Sequence, residues 1–368
     1  MERISIACPV FNGNEKKYLN ECIDTGWISS NGRFVNEFEY KFAEFCGVKH
    51  ALAAANGTVT LHLILVALGI EPGDEVIMPT LTYIATANAV KYCGATPVFV
   101  DSEEDTWNIN PKKIEEKITK KTKAIIPVHL YGLPANMDEI NKISKKYNLI
   151  VIEDAAEAHG ASIDNKVVGS IGDVASFSFF GNKIITCGEG GMITTNDTQL
   201  YEKMKILRSQ GVDPLKKYWH NVIGYNYRMT NMQAAVGLAQ LENVNWHLEQ
   251  RIRVAKLYTE KLSELFEFIV LQKCPEDTNN VYWMNSIILK DKVKISRDEV
   301  MRKMEEKNIE MRPLFYCMHN MPPYLKKDAK FPIAEKLSSR GINLPSHAML
   351  SEENIEYIVS ELAKIIKY

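Results

Sequence analysis

The feature that most constrains the fold is an apolar run that ends in two acids and precedes a lysine in a glycine-rich turn. Residues 149–152 are the run, the acids are Glu153 and Asp154, and the lysine is Lys183. A short apolar run ending in acid is typical of a buried parallel strand, whose carboxyl end is where open α/β sheets bind ligands. The lysine follows two phenylalanines, which is a setting that indicates a buried amine with a lowered pKa.

An amine of that kind forms Schiff bases with carbonyl compounds and with pyridoxal phosphate (PLP). The expected partner is an acid that faces the pyridinium nitrogen, so we interpret Asp154 and Lys183 as such a pair. Each element also has a simpler interpretation. The aspartate could cap a helix, and the lysine could be a solvated surface residue. Gly188, Gly190 and Gly191 could form a β-turn.

Bulk properties narrow the class of protein. A chain of 368 residues predicts two domains. A net charge of −2 argues against nucleic-acid and anionic-membrane partners, which need a basic face. The seven cysteines are odd in number and none has CxxC spacing, so we expect no disulfide framework, no metal site and a cytoplasmic location. We also expect no signal peptide and no membrane span, which would need ~20 apolar residues.

Apolar periodicity predicts strands alternating with helices, and hence an α/β fold with a mainly parallel sheet. The long helix predicted over residues 232–265 contains the proposed boundary between a large domain, 1–245, and a small α+β domain, 246–368. Residues 311–315 and 341–345 are predicted to be loops. No GxGxxG follows the first strand, so a dinucleotide-binding fold lacks its fingerprint.

Two polar segments are candidates for binding. Asn56, Gly57 and Thr58 lie between a predicted strand and a predicted helix. That arrangement either aims backbone N–H groups at an anion or is a plain helix cap by Asn56 or Thr58. Residues 218–231 are too polar for a core strand and too aromatic for a disordered linker, so they line a site or interface, or form a buried loop.

At this level of detail the chain resembles the DegT/StrS family of PLP-dependent sugar aminotransferases. The resemblance covers nearly the whole chain, and it rests on motifs at matching spacing: NGTVTLHL, PGDEVIMPTLTYIATANAV, VIEDAAEAHGA, SFSFFGNKIITCGEGG, YWHNVIGYNYRMTN, MRPLFY and GINLPS. It implies the type I aminotransferase fold, with a large domain built on a seven-stranded, mainly parallel sheet and a small C-terminal α+β domain.

The resemblance also implies roles for particular residues. Lys183 matches the Schiff-base lysine and Asp154 the partner of the ring nitrogen. Tyr83 matches the aromatic that stacks on the cofactor ring, and Glu157 matches a residue near the ring hydroxyl. Gly57 and Thr58 match the phosphate-binding turn, and Ser178 matches the serine that completes it. Asn226 matches an asparagine that reaches the phosphate of the neighbouring subunit. The last of these implies a homodimer with shared sites. Cys187 and Asn56 depart from the commoner threonine and serine, without replacing a chemical group.

The reaction implied is transfer of an amino group from glutamate to a keto sugar. Some relatives have histidine in place of the lysine and act as dehydratases, whereas this chain keeps Lys183. The closest resemblance is to nucleotide-sugar 4-aminotransferases that act on 4-keto-6-deoxy sugars for surface polysaccharides. A small ketose phosphate is the alternative acceptor. A non-catalytic PLP-binding protein is the hypothesis from another class, but such a protein would be expected to have lost the lysine or the acid.

The acceptor site is expected to be built from loops. The candidate substrate residues are Trp27, Ser29, His220, Arg228, Arg312 and Tyr316. For His220 and Arg228, an interface hydrogen bond is an equally open interpretation. For His319, a surface position without a role is favoured.

Overall fold

Seven strands form the central sheet. In the computed structural model, which describes residues 2–326 and 328–367, these strands are β1 (His50–Ala54), β2 (Glu75–Pro79), β3 (Thr96–Val100), β4 (Thr122–Ile125), β5 (Ile150–Asp154), β8 (Val174–Ser178) and β9 (Gly191–Thr195). Their order across the sheet is β1-β9-β8-β5-β4-β2-β3. The five strands from β8 to β3 pair in parallel, whereas β9 is antiparallel to both β1 and β8. The predicted α/β fold with a seven-stranded, mainly parallel sheet is confirmed.

Helices alternate with these strands along the chain. They are α1 (Glu15–Thr25), α2 (Arg33–Cys46), α3 (Gly57–Ala67), α4 (Ala85–Tyr92), α5 (Met137–Tyr147), α6 (Thr198–Arg208) and α7 (Asn231–Glu242). Local sequence explains their ends. Gly47 terminates α2 in the left-handed conformation, with φ of 69°, and the Asn136 side chain caps the start of α5. Apolar periodicity in the sequence predicts a helix over about residues 137–147, and the observed bounds of α5 coincide with it.

A second, antiparallel sheet lies in the C-terminal part of the chain. Its order is β10 (Ile269–Leu271), β12 (Asn285–Leu289), β14 (Gly341–Leu344) and β13 (Arg312–Pro313). The prediction of loops at 311–315 and 341–345 is therefore wrong in part. These short segments contain Pro or Gly, and their strand character comes from pairing with β12 and with each other.

Helices α8 (Val244–Lys261), α9 (Arg297–Glu305) and α11 (Glu352–Ile366) contribute to a separate apolar cluster with this second sheet. Helix α10 (Pro332–Arg340) was not predicted. The remaining strands form a small three-stranded sheet in the order β11 (Thr278–Asn279), β6 (Ser162–Ile163) and β7 (Lys166–Val167). Within the described residues, no helix is both long and apolar enough to cross a lipid bilayer.

The long helix predicted over residues 232–265 is two helices. Asn243 lies between α7 and α8 with φ of −106° and ψ of 14°, outside the helical region. Asparagine favours helix ends because its side chain competes for backbone hydrogen bonds, and the periodic apolar pattern on either side conceals the break. The division of the chain into domains at residue 245 stays a prediction.

The sheet brings distant parts of the sequence to one edge. Because β9 is antiparallel to both β1 and β8, strands β1, β8, β5 and β2 all run in the same direction. Their carboxyl ends therefore meet, and each is followed by a predicted site residue: Gly57 after β1, Tyr83 after β2, Asp154 at the end of β5 and Ser178 at the end of β8. This edge is where open α/β sheets bind ligands.

Candidate active site

A cavity of about 640 Å³ opens at this edge. Its volume lies within the range of small-molecule sites, which is roughly 300–1,000 Å³. Eight of the residues predicted to contact cofactor or substrate line it: Gly57, Thr58, Tyr83, Asp154, Glu157, Ser178, Lys183 and Arg312. The C-terminal part of the chain contributes Trp283, Phe315 and Asn343 as well as Arg312. The cavity is thus enclosed by residues that follow the central sheet and by residues of the second sheet.

One wall of the cavity is formed by the N-terminus of helix α3. The Asn56 side chain accepts the Val59 N–H at 3.0 Å and so caps α3, which confirms the cap interpretation. The first two N–H groups of the helix, on Gly57 and Thr58, have no acceptor among the described residues. Unpaired N–H groups at a helix N-terminus are suited to binding phosphate, so the anion interpretation stays a prediction that this geometry allows.

Gly57 is required there by close packing. A Cβ atom on Gly57 would lie 2.8 Å from the Cβ of Ser178, which is closer than real contacts permit. The absence of a side chain lets the end of β8 approach the helix N-terminus, so the Ser178 hydroxyl lies beside the free N–H groups. Three hydrogen-bond donors therefore converge on one part of the cavity, which suits a phosphate group.

The carboxylate of Asp154 is buried and held in place. Its Oδ2 accepts a hydrogen bond from the Thr86 hydroxyl at 2.8 Å, and its Oδ1 accepts one from the Ala156 N–H at 3.3 Å. No helix follows Asp154, so the helix-cap interpretation is excluded. Burial raises the pKa of Asp154, whereas these hydrogen bonds and the charge of Lys183 lower it. A cation placed in the cavity would therefore favour the ionised carboxylate.

Lys183 reaches the same cavity from the turn that follows β8. Burial lowers the pKa of its amine below the ordinary value, and the charges of Glu157 and Asp154 oppose that shift. The sequence-based expectation of a lysine with a lowered pKa therefore agrees with the direction found. A lowered pKa increases the fraction of neutral amine, which is the nucleophilic form.

Glu157 is the second buried acid of the site. Its Oε2 accepts the Tyr131 N–H at 2.7 Å, and burial raises the pKa of its carboxyl. Tyr131 has φ of 59°, an unusual left-handed conformation for a tyrosine. Glu157 is therefore positioned by the chain, with a carboxyl that takes up a proton more readily than usual.

Other predicted site residues lie outside this cavity: Trp27, Ser29, His220, Asn226, Arg228 and Tyr316. Trp27, Ser29, His220 and Asn226 are exposed, as is Tyr316, whose hydroxyl accepts a hydrogen bond from Arg297 at 3.3 Å. His220 Nδ1 is 2.9 Å from the Gln210 carbonyl oxygen. The substrate roles proposed for these residues remain predictions.

The structure adds residues that the sequence did not single out. Thr86 fixes the carboxylate of Asp154, and the ring of Trp283 contacts Lys183. His159 is buried against the rings of Phe177 and Phe179, and burial lowers its pKa to about 3. Thr86 lies within the TYIATANA motif and His159 within EDAAEAHGA, so motif membership was a usable signal for both. Nothing in the local sequence pointed to Trp283.

The expected surface position of His319 is wrong. Its side chain is buried, and its two ring nitrogens lie 2.7 Å from the Thr80 hydroxyl and 3.1 Å from a Glu335 carboxylate oxygen. It therefore connects the segment after β2 to helix α10 and has a structural role. In the part of the chain that the structure describes, no group of His, Cys, Asp or Glu is arranged to hold a metal ion.

Comparison with known proteins agrees with the class of enzyme that this site defines. The DegT/DnrJ/EryC1/StrS aminotransferase family matches residues 10–363, so the chain belongs to that family and is an aminotransferase. Its relatives include the GDP-perosamine synthase of Caulobacter vibrioides, 53% identical over 100% of this chain and 99% of that protein. The GDP-perosamine synthase of Escherichia coli O157:H7 is 50% identical over 98% of each chain.

Solved structures agree in fold. The crystal structure of DesI in the presence of its TDP-sugar product superposes with a TM-score of 0.92. It is 29% identical and covers 98% of this chain and 92% of that one. The superposition therefore covers nearly the whole of this chain.

Proposed function

We propose that this protein is a PLP-dependent nucleotide-sugar 4-aminotransferase, which moves an amino group from glutamate to a 4-keto-6-deoxy nucleotide sugar for a surface polysaccharide. The observation that carries the proposal is that Lys183, Asp154 and the free N–H groups of Gly57 and Thr58 line one cavity. These are the groups needed to hold an aldehyde, a ring nitrogen and a phosphate. The near full-length identity to GDP-perosamine synthases supports the choice of acceptor.

The residues present fit PLP. The cradle of Gly57, Thr58 and Ser178 would hold the phosphate, and Asp154 would face the ring nitrogen. Tyr83 lines the cavity with its ring 5.8 Å from that of Phe315, so it can cover a flat ligand. Glu157 lies among them and would face the ring hydroxyl. When bound, PLP supplies the aldehyde that carries the amino group and a ring that withdraws electrons from the reacting carbon.

The side chains of this protein would then position the reactants and move protons. The Asp154 carboxylate would keep a proton on the ring nitrogen. Lys183 would first tether the cofactor through its Nζ, and once that atom is free it would transfer a proton between two carbons as base and then as acid. The donors on Gly57, Thr58 and Ser178 would prevent drift of the phosphate, which preserves the alignment of the reacting atoms.

An amination assay tests the acceptor. Purified protein would be supplied with PLP, glutamate and either GDP-linked or dTDP-linked 4-keto-6-deoxyhexoses, with small ketose phosphates in parallel. We expect 2-oxoglutarate and a 4-amino sugar to form with a nucleotide-linked ketone. The identity of the relatives favours that acceptor over a small keto phosphate. Turnover confined to keto phosphates would reject the proposed acceptor, and no turnover with any ketone would reject the enzyme class.

We further propose that the enzyme is a homodimer with shared sites, which works in the cytoplasm. The segment 215–223 exposes large apolar side chains, including Tyr218 at 83% and Ile223 at 92%. Trp27 and Ile28 form a second segment with exposed apolar side chains, and the Trp27 carbonyl oxygen accepts a hydrogen bond from Asn231 at 2.7 Å. Apolar surface of this extent is typical of an interface. All seven cysteines are free, which suits a reducing compartment.

Asn226 is the residue proposed to complete the partner's site. Its side chain is exposed and outside the cavity of its own chain. Replacing Asn226 by Ala should weaken PLP retention about tenfold or more, since a hydrogen bond to a charged group contributes roughly 1.5–3 kcal/mol. Equilibrium dialysis of PLP would measure the change. Asn226→Asp, which keeps the shape but places a negative charge beside the phosphate, should weaken retention further.

Mixing two inactive variants decides which subunit Asn226 serves. A dimer of one Lys183→Ala and one Asn226→Ala subunit has one site with both lesions and one intact site if Asn226 acts across the interface. Activity should then partly return on mixing, provided that the Asn226→Ala dimer is itself inactive and the subunits exchange. If Asn226 served its own site, each site would keep one lesion. No recovery despite demonstrated exchange would reject the shared site.

A further inference from the structure

The amine of Lys183 lies against an aromatic ring in the described structure. Lys183 Nζ lies 3.9 Å from the ring centroid of Trp283. None of the described carboxylates lies within 4.0 Å of this atom, and none of the described groups forms a hydrogen bond with it. Asp154 and Glu157 line the same cavity and act on the amine only at longer range. The ring face of Trp283 is thus a direct neighbour of the amine.

Trp283 is itself held firmly. Its indole N–H donates to the carbonyl oxygen of Asn182, the residue before the lysine, at 2.8 Å. Its own carbonyl oxygen accepts from Arg251 at 2.9 Å, and its ring stacks on that of Tyr131, with centroids 6.1 Å apart and planes 20° apart. The side chain is 4% exposed. A residue from the C-terminal part of the chain therefore contacts both the lysine and the turn that carries it.

We propose that Trp283 is a positioning residue for Lys183. Its ring face holds the Nζ ammonium whenever that amine is not bonded to the cofactor, and its indole N–H fixes the turn at Asn182. This inference rests on the proposed function, because it assigns Lys183 as the amine that holds PLP. Such positioning would keep a flexible lysine aligned between the two steps in which it acts, which are tethering of the cofactor and transfer of the proton.

The groups around the amine determine whether removal of the Trp283 ring raises or lowers the pKa of Lys183. An aromatic face attracts a cation, so the ring stabilises the ammonium form and raises the pKa of Lys183. Glu157 and Asp154 act in the same direction, whereas burial lowers that pKa. His159 is also near the lysine and is neutral, because burial lowers its own pKa to about 3. Arg312 also lines the cavity, and its guanidinium is paired with the Glu310 carboxylate at 2.9 Å.

A pH series on the cofactor-free protein tests the proposal. Each variant would be mixed with PLP across a range of pH, and borohydride trapping with peptide mapping would give the rate of capture at Lys183. The pH at which the capture rate is half its maximum is the midpoint. In Trp283→Leu this midpoint should fall by roughly 0.5–1.5 pH units, because the ring no longer stabilises the ammonium. In Trp283→Phe, which keeps an aromatic ring, the midpoint should fall less. Trp246→Phe, in helix α8 and outside the cavity, is the matched control and should match the wild type.

Loss of packing alone would change the midpoint in the opposite direction. Water admitted by a smaller side chain would relieve burial and raise the midpoint. A rise or no change in Trp283→Leu therefore overturns the proposal. If that variant does not fold, fluorinated tryptophan replaces the ring without changing its shape. In the chain that keeps Trp283, the midpoint should then fall with each added fluorine. In Trp283→Phe, which has no tryptophan at this position, fluorination should leave the midpoint unchanged. An unchanged midpoint in the chain that keeps Trp283 again overturns the proposal. Failure to trap PLP on Lys183 in the wild type rejects the proposed function instead.

Discussion

Replacing Lys183 by alanine should reduce the rate of transamination by at least ~10⁴-fold, the upper end of what a positioned proton-transfer group contributes. The variant loses both the tether for the cofactor and the one lysine that, among the described residues, lines the cavity. It should remain folded, because the amine forms no ion pair or hydrogen bond with the described residues. Glutamate-dependent formation of 2-oxoglutarate measures the rate, and circular dichroism checks the fold.

A surface lysine on an aromatic ring provides the matched control. Lys146 lies 5.0 Å above the ring of Tyr147, in helix α5 and outside the cavity. Lys146→Ala should keep full activity and full incorporation of the borohydride label. In the wild type that label should map to the peptide containing Lys183. Recovery of the label on a different lysine would refute the assignment.

Replacing Asp154 by asparagine should lower the rate at least ~100-fold while leaving the protein able to bind PLP. The substitution keeps the shape of the side chain but removes the charge that would hold a proton on the ring nitrogen. PLP should still bind, because the donors on Gly57, Thr58 and Ser178 are unchanged. Single-turnover rates separate the chemical step from retention of the cofactor, which absorbance after gel filtration measures.

Thr86→Val separates the charge of Asp154 from its placement. The variant removes the hydroxyl that donates to Oδ2 at 2.8 Å and keeps the carboxylate. We expect a loss of about tenfold, on the scale of one hydrogen bond to a charged group. Near-normal activity in Asp154→Asn would show that the carboxylate has only a structural role. An equal loss in both variants would show that placement, and not charge, is what matters.

Much of the central fold could be predicted because its signals are local. The 11 residues of α5 have apolar side chains at helical spacing and an asparagine cap, so both ends were predicted from the sequence. Strand β14 could not be predicted in this way. Its four residues, GINL, form a strand because they pair with β12 on one side and with β13 on the other.

The residues of the candidate site fall into the same two groups, those in local sequence patterns and those placed by contacts between distant segments. Lys183 and Asp154 were found from the sequence because each lies in a local pattern that its chemistry requires. Thr86 and Trp283 were not, because their contacts join residues 68 and 101 positions apart. Likewise, the polar character of histidine favoured an exposed His319, whereas Thr80 and Glu335 satisfy it in the interior.

The sequence by itself determined the alternation of strands and helices, the acid and the lysine of the site, and the family to which the chain belongs. These follow from periodicity, from capping residues and from motifs that are read over a few positions. The tertiary structure decided the direction of β9, the break at Asn243 and the aromatic face that receives the lysine. Each of these depends on which distant segments pack together, and the energy of such contacts is not present in any short stretch of sequence.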